Sequence, residues 1–426
     1  MKLWDKGYAT DNIVERYTVG NDRILDLKLA KYDVLGSIAH AKMLHAIGVL
    51  SASELNDVLD AFEKIKNTID KGEFVIEESF EDIHSKIEHE LIQMIGDTGK
   101  KIHTARSRND QVLVDLHLFF KDEIIEIKYL IKQLFDTFIL LSKEHKDVLL
   151  PGYTHMQVAM PSSFGLWFGA YAESLIDDII LLNAAYKIAD QNPLGSAAGY
   201  GSSFPINRTM TTELLGFETM KFNVVAAQLS RGKLEKSLAF ALAAVAGTLS
   251  KFATDSCLYM SQNFNFISFP KELTTGSSIM PHKQNPDVFE LMRARCNKIQ
   301  NLPAEIMMLT TNLSSGYHRD FQLLKSSIFE AIDVLKDNLE VANFMLQHIQ
   351  IQQDILDNPM YNYMYSVDSL NKLVKEGLSF RDAYKKIGTE ILSGTFNPDK
   401  NINHTHEGSI GNLCLTSIET KFMSHF

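Results

Sequence analysis

The sequence predicts a mainly α-helical fold built around a bundle of unusually long helices. No proline occurs before Pro151, and none occurs between Pro205 and Pro270, so these stretches can hold long uninterrupted helices. Apolar residues there recur at steps of three and four, which is typical of a helix with one buried face. Strand signals are sparse, and the absence of βαβ alternation, of a GxGxxG loop and of a Walker loop disfavours nucleotide-binding α/β folds.

Three apolar stripes define the long helices of the predicted bundle. The first runs from Leu113 to Leu141 and would cover about 43 Å at 1.5 Å per residue. The second runs from Leu234 to Phe252, and the third begins at Leu324 and ends at residue 342. Helices of this length exceed the core of one small domain. We therefore expect their apolar flanks to continue into neighbouring subunits of a homo-oligomer.

The polar segment that precedes the first stripe and the end of the last one predict three domains. RSRND stands at residues 106–110, directly before the first stripe. We expect an N-terminal helical domain at 1–110, a central long-helix bundle at 111–352 and a small helical domain at 353–426. The last of these contains a loop region rich in Asn, Gly and Ser.

Composition and charge exclude several classes of function. The chain has 426 residues and a net charge of -11 without a concentrated basic run, which disfavours a nucleic-acid partner. No apolar stretch follows the first lysines, so we expect no secretory signal and a cytoplasmic protein. The apolar run at 237–250 is shorter than the roughly 20 residues that span a bilayer, which predicts a buried helix and no membrane partner. The three cysteines fit neither a disulfide framework nor a zinc site.

Four polar clusters lie at the ends of the stripes and contain the candidate site residues. Arg106 and Arg108 with Asn109 could bind carboxylates, because a guanidinium group does so through two hydrogen bonds. The alternative is a solvated helix N-cap, formed by Asn109 or Asp110. The clusters are HTARSRNDQ at 103–111, GYTHMQ at 152–157, TTGSSIMPHKQNPD at 274–287 and GYHRDFQLLK at 316–325.

The second and third clusters offer groups for proton transfer. His155 could act as a general acid or base if another group orients it, and no further ligand stands at metal-binding spacing. Ser277 and Lys283 could stabilise an alkoxide or a developing carboxylate dianion, although a turn-rich surface loop would show the same residues. The helix that starts behind this loop would place Glu290 inward, where it could orient His155.

Several motifs resemble a known superfamily. GSSIMPHKQNP at 276–286 is similar to the loop GSSxMPxKxNP shared by fumarases, aspartases and argininosuccinate lyases. RSRNDQ at 106–111, GSIAHAKML at 36–44, GYTHMQ at 152–157 and GLSFRDAY at 377–384 resemble the argininosuccinate lyase branch. The resemblance implies a three-domain fumarase/aspartase-like fold and a homotetramer with sites shared between subunits. It also implies β-elimination of argininosuccinate to L-arginine and fumarate, the last step of arginine biosynthesis, without cofactor or metal.

The resemblance assigns roles residue by residue. Ser277 would be the base that removes the Cβ proton, with Lys283 supporting the charge that develops on the carboxylate. His155 with Glu290 would be the pair that acts as the general acid or otherwise transfers protons. The loop around Ser277 would be a mobile lid over the substrate. The implied substrate-binding residues are Arg108, Asn109, Thr154, Asn285, Tyr317, Gln322 and Lys325.

The chain departs from the family pattern at two places, and two alternatives stay open. Ala105 stands where the family usually has glycine, and HKQ at 282–284 is more similar to adenylosuccinate lyase. An adenylosuccinate lyase is therefore one alternative, although RSRNDQ and the lack of a basic, aromatic phosphate pocket disfavour it. The other is a non-catalytic, crystallin-like relative. The intact Ser277, Lys283, His155 and Glu290 disfavour that alternative.

Overall fold

The structure, a computed structural model, describes residues 11–426 and confirms the mainly helical fold. Seventeen α-helices are present in this part of the chain, joined by loops and short 3-10 turns. The helices are α1 Asn12–Val19, α2 Asp22–Asp26, α3 Ala30–Ala46, α4 Ala52–Asp70, α5 Ile83–Ile95, α6 Asp97–Lys100, α7 Arg108–Glu144, α8 Phe164–Ala189, α9 Arg208–Leu214, α10 Val224–Gln228, α11 Lys233–Met260, α12 Asp287–Gln300, α13 Leu302–Leu309, α14 Leu324–Leu346, α15 Ser366–Lys375, α16 Phe380–Leu392 and α17 Leu415–Met423.

Six short strands form three two-stranded sheets among the described residues. Strands β1 and β2 pair antiparallel as a hairpin, β3 and β4 pair parallel, and β5 and β6 pair antiparallel. Only the hairpin is longer than two residues per strand, so strands contribute little to the core. The strands are β1 Leu149–Thr154, β2 Gln157–Ser163, β3 Gln191–Asn192, β4 Thr219–Met220, β5 Ile267–Ser268 and β6 Gln350–Ile351.

The three predicted stripes lie on the three helices α7, α11 and α14. These helices have 37, 28 and 23 residues, and the stripe residues on them are buried. A fourth long helix, α8, has 26 residues and was not predicted. Gly165 and Gly169 lower the helix propensity of its first turns. Gly165 is required there because an added Cβ would lie 2.6 Å from the Cα of Lys146.

The described chain divides into two compact units. The first comprises the described part of Met1–Ile127 together with Leu181–Ala244 and Lys298–Leu335, and the second contains the remaining segments. Helices α7, α8, α11, α12 and α14 each contribute residues to both units. The domain boundaries near residues 110 and 352 stay a prediction.

Each unit has its own apolar core. In the first, α3, α4 and α5 pack around fully buried residues such as Val34, Phe62 and Leu91. In the second, the rings of Phe138 and Phe252 meet edge to face at 5.3 Å. Offset or edge-on aromatic pairs of this kind add to the burial of the rings themselves.

One helix in the described part of the chain, α11, is long and apolar enough to cross a membrane by length and composition alone. The apolar run at 237–250, which is too short to span a bilayer by itself, is part of this longer helix of 28 residues. Half of its most apolar stretch is buried inside the chain. Core helices of globular proteins meet the same criterion, so this feature is weak evidence for a membrane span.

Candidate active site

The first unit contains a polar pocket of about 410 Å³. Side chains of both charges line it, among them Asp26, Asp82 and Arg231. A pocket of this size fits a small organic molecule, and its mixture of charges suits a ligand that carries both carboxylates and cationic groups. Five of the predicted substrate-binding residues line it: Arg108, Asn109, Tyr317, Gln322 and Lys325.

Lys325 is buried between two carboxylates of α2. Its Nζ lies 2.7 Å from Asp22 Oδ1 and 2.6 Å from Asp26 Oδ1. Burial lowers the pKa of Lys325, but the charges of Asp26 and Asp22 outweigh it and the net shift is upward. Burial raises the pKa of Asp22 to about 6; Lys325 opposes this rise and Asp26 adds to it. The three side chains therefore form one group of a cation between two carboxyl groups.

We expect Asp22→Asn to flatten the pH dependence of stability between about pH 4 and 6. A carboxyl group whose pKa is raised on folding contributes stability that is fully present below its unfolded pKa and is lost as pH rises through the folded value. For Asp22 these values are 3.8 and about 6. The free energy of unfolding of the wild type, relative to the variant, should thus fall by roughly 1–3 kcal/mol from pH 4 to 7. Urea titrations at both pH values measure it, and equal differences at the two pH values would contradict the prediction.

Arg108, the first residue of α7, is held by the loop before α5 and by the first turn of that helix. Its guanidinium lies 3.0 Å from Glu81 Oε2 and 2.9 Å from Asp82 Oδ2, and its Nη2 donates to Ser85 Oγ at 3.2 Å. Burial raises the pKa of Asp82, but the charges of His84 and Arg108 outweigh it and the pKa is lowered. Arg108 is therefore preoriented at the pocket wall, where a substrate carboxylate would share it with these groups.

Ala105 lies one residue before Arg106, and its backbone is left-handed with a φ of 61°. This region is open to glycine but costs other residues energy, because the Cβ approaches the backbone. The glycine that the family usually has at this position would remove that strain. The structure thus gives a physical reason for the family pattern from which this chain departs.

Gln322 and Arg319 connect the pocket to the segment before α2. Gln322 Nε2 donates to the carbonyl oxygens of Thr18 and Val19 at 2.9 and 3.1 Å. Arg319 donates to the same Thr18 oxygen at 2.7 Å and to Gln322 Oε1 at 2.9 Å. The side-chain amide of Gln322 thus binds backbone in this structure. A substrate that uses it would replace these bonds.

His155 lies at the tip of the hairpin formed by β1 and β2, in the second unit. His155 and Met156 have φ values of 53° and 60°, and the flanking residues Thr154 and Gln157 pair with each other. A two-residue turn with both central φ values positive belongs to the type I′ family, which favours Asn and Gly. His155 and Met156 therefore carry backbone strain, and such strain is concentrated at functional sites.

The loop around Ser277 is closed by Asn285. The Asn285 backbone N–H donates to Thr275 O at 2.8 Å, and its Nδ2 donates to Gly276 O at 3.2 Å. Ser277 Oγ accepts hydrogen bonds from the backbone N–H groups of Met280 at 3.1 Å and Ile279 at 3.4 Å. Two donors on one hydroxyl oxygen would stabilise negative charge there.

The expected inward position of Glu290 is wrong for the single chain. Glu290 is exposed on the first turn of α12, while Phe289, Met292 and Cys296 form the buried face of that helix. Steps of three and four from Phe289 define this face, and Glu290 falls one residue off it. His155 is exposed as well, and no hydrogen bond or ion pair joins it to Glu290 within residues 11–426.

The predicted site residues thus fall into two groups. Arg108, Asn109, Tyr317, Gln322 and Lys325 line the pocket of the first unit, whereas Thr154, Asn285 and the four predicted catalytic residues belong to the hairpin, the loop and α12 of the second. Sequence reasoning missed the acidic side of the pocket. Two signals point to it: acids four residues apart at Asp22 and Asp26, and the acidic EDIH segment at 81–84.

Comparisons with known proteins agree with the motifs. A family model described as Lyase matches residues 6–301. The argininosuccinate lyase of Bacteroides thetaiotaomicron is 56% identical over 97% of this chain and 93% of its own length. That of Parabacteroides distasonis is 56% identical over 99% and 95%. The crystal structure of EDDS lyase in complex with formate has a TM-score of 0.79 at 19% identity, covering 98% of this chain and 90% of that one. The last likeness concerns the fold.

Proposed function

The chain belongs to the argininosuccinate lyase family, and from this premise we propose that it cleaves argininosuccinate to L-arginine and fumarate. The proposal places the reaction in the cytoplasm as the last step of arginine biosynthesis, and it involves no cofactor and no metal. The pocket of the first unit is the observation that carries it. Five predicted substrate-binding residues from two segments that are far apart in sequence line this one cavity.

The charges of the pocket match the charges of the proposed substrate. Argininosuccinate has three carboxylates, an ammonium group and a guanidinium group, so its binding site needs cations and anions side by side. Arg106 and Arg108 offer guanidinium groups to carboxylates, and Asp22 and Asp26 offer carboxylates to cationic groups. A pocket with only one sign of charge would leave part of this substrate unpaired.

The proposed reaction is a β-elimination. Ser277 Oγ, as an alkoxide, takes the proton from the substrate carbon next to the one that bears nitrogen. The C–H electrons form the C=C bond of fumarate, the C–N bond breaks, and its electrons stay on the guanidino nitrogen. The backbone N–H groups of Met280 and Ile279 support Ser277 as the base, since both donate to its oxygen.

The remaining roles concern the negative charge on the substrate carboxylate and the proton that the leaving nitrogen receives. We assign Lys283 to the carboxylate that gains negative charge as the proton leaves, because an ammonium group stabilises a dianion without a metal. Asn285 fixes the loop that carries both residues and could also donate to that carboxylate. His155 supplies a proton to the leaving nitrogen, with Glu290 orienting it from another subunit. That arrangement agrees with the exposure of both side chains in the single chain.

We propose a homotetramer whose sites combine residues of three subunits. The long helices leave large apolar side chains on the surface of the single chain: Ile125, Tyr129 and Leu140 on α7, Phe240 on α11 and Phe344 on α14 are 47–62% exposed. Apolar residues repeated along long helices are typical of helix bundles between subunits. Such a bundle would also bring the loop of one chain to the pocket of another.

We expect a mass of four times 48.1 kDa in solution and a smaller mass for Phe240→Glu. A buried charge in an apolar helix interface opposes association, because its desolvation is not compensated. Light scattering after size-exclusion chromatography measures both masses. Leu392→Glu is the matched control, since Leu392 is 91% exposed but lies on α16, outside the long helices. A tetramer that persists in Phe240→Glu, or one that is lost in Leu392→Glu, would contradict this interface.

Fumarate release tests the proposed function directly. The purified protein is mixed with argininosuccinate in one cuvette and with adenylosuccinate in another, and fumarate is followed by its ultraviolet absorbance. We expect fumarate from argininosuccinate alone. Release from adenylosuccinate alone would assign the chain to the alternative lyase, and release from neither would favour a non-catalytic relative.

A further inference from the structure

A buried charged cluster lies directly behind the pocket of the first unit. His84 Nδ1 is 3.0 Å from Asp33 Oδ1 and 3.7 Å from Asp115 Oδ2. All three side chains are at most 1% exposed. They come from α5, α3 and α7, so one imidazole ring connects three helices. His84 also lines the pocket itself, whereas the two carboxylates do not.

The charged side chains of the cluster act on one another. Burial lowers the pKa of His84, but Asp33, Asp82 and Asp115 outweigh it and raise the pKa to about 9. Burial and the charge of Asp33 raise the pKa of Asp115, while His84 and Arg106 oppose the rise. His84 and Arg106 thus both oppose the effect of burial on the carboxyl group of Asp115.

The cluster fixes how α5 lies on α7. Arg108 and Asp115 are seven residues apart on α7, which is two turns, so they point to the same side of that helix. Arg108 meets Asp82 and Ser85 at the start of α5, and Asp115 meets His84 one to two residues away. The same short stretch of α5 therefore touches α7 twice, once at the pocket wall and once behind it.

We propose that His84 is a positioning residue of the pocket: its buried pairing with Asp33 and Asp115 fixes the start of α5 so that Asp82 and Ser85 hold the guanidinium of Arg108 in place. This inference rests on the proposed function, because Arg108 is a proposed substrate-binding residue. His84 acts through Arg108 and needs no contact with the substrate.

A bound metal ion is the competing explanation of the cluster. One ligand atom each of Asp33, His84 and Asp115 lies within 4.8 Å of the others, which is compatible with a metal site. The guanidinium charge of Arg106 acts on Asp115 and would repel a metal ion at this position. The ion-paired arrangement therefore accounts for the same geometry. Metal content decides between the two.

A double-mutant cycle tests the proposal. We expect His84→Asn to raise the KM for argininosuccinate about tenfold or more with a smaller change in kcat, because it loosens a binding group. Arg108→Lys should then add little further loss in the His84→Asn background, since the two substitutions disable one unit. Additive effects of His84→Asn and Arg108→Lys, or an unchanged KM in His84→Asn, would overturn the proposal.

His117→Asn is the matched control. His117 is also fully buried, lies on α7 and bonds the carbonyl of Ala189 at 2.7 Å, but it does not line the pocket. His117→Asn should lower the free energy of unfolding without changing KM. This loss of stability should add to the loss caused by Arg108→Lys. If KM rises equally in both histidine variants, His84 has only a general structural role and the proposal fails.

Two further measurements test the proposal without relying on enzymatic activity or on the folding of a single variant. The same cycle is measured in the free energy of unfolding, where coupling between His84 and Arg108 supports the proposal even if the wild type releases no fumarate and the proposed function fails. Asp33→Asn replaces His84→Asn in both cycles if the latter does not fold. One equivalent of tightly held metal in the wild type, measured by mass spectrometry and lost in Asp33→Asn, would overturn the proposal.

Discussion

Replacement of Ser277 by alanine should lower argininosuccinate turnover about 10³-fold or more while the oligomer stays folded, because proton transfer by a positioned side chain typically contributes 10²–10⁴. The hydroxyl oxygen is the acceptor of two backbone N–H groups in a loop that is otherwise largely exposed. Removing one exposed-loop hydroxyl disturbs no core packing, so stability should change little. The loss therefore belongs to the chemistry and appears mainly in kcat.

Ser278→Ala is the control for this prediction. Ser278 is the neighbouring residue, is exposed and has the same size, but it carries no proposed role. Turnover of both variants is measured by fumarate absorbance and their assembly by light scattering. If Ser277→Ala retains most of its activity, or if Ser278→Ala loses as much, the base is another residue. Loss of the oligomer in Ser277→Ala would instead assign the serine a structural role.

The helices could be predicted because their signal is local. The step of three and four from Leu113 to Leu141 lies on α7, which buries its apolar face along its whole length. Helix α8 was not predicted because glycines lower the helix propensity of its first turns. Gly165 is nevertheless needed there, because it packs closely against the backbone of Lys146. Such contacts depend on tertiary packing, which no local pattern contains.

The candidate site was predicted in part for the same reason. The sequence motifs identify residues that line the pocket, such as Gln322 and Lys325. They do not identify the groups that these residues bind in the single chain. The carboxylates of Asp22 and Asp26 lie about 300 residues away from Lys325 along the chain. For Glu290, the sequence predicts the helix on which it lies but not which side of that helix is buried. Its proposed partner, His155, would come from another subunit, and the pattern of a single chain does not contain that contact.

Lys325→Met should be the most destabilising of the substitutions considered, by about 3–5 kcal/mol at neutral pH, because it leaves buried carboxylates without their cation. Asp22 and Asp26 both lie within 2.7 Å of Nζ, and Asp26 is 2% exposed. Without the charge of Lys325, which lowers the pKa of Asp22, that pKa should rise above its value of about 6. A carboxyl group with a raised folded pKa loses stability as pH increases through it. The deficit of the variant should therefore be larger at pH 8 than at pH 5.

Lys121→Met separates this effect from the general loss of a buried lysine. Lys121 pairs with Asp190 at 2.5 Å, donates to Gly216 O at 2.8 Å and does not line the pocket. Both variants should lose stability in urea titrations, but only Lys325→Met should also raise the KM for argininosuccinate. The two effects have one cause, since the cation that pairs with Asp22 and Asp26 also sets the charge that a substrate meets at this wall. An equal KM in both variants would contradict the binding role of Lys325. A deficit that grows as pH falls would contradict its role as the cation of Asp22 and Asp26.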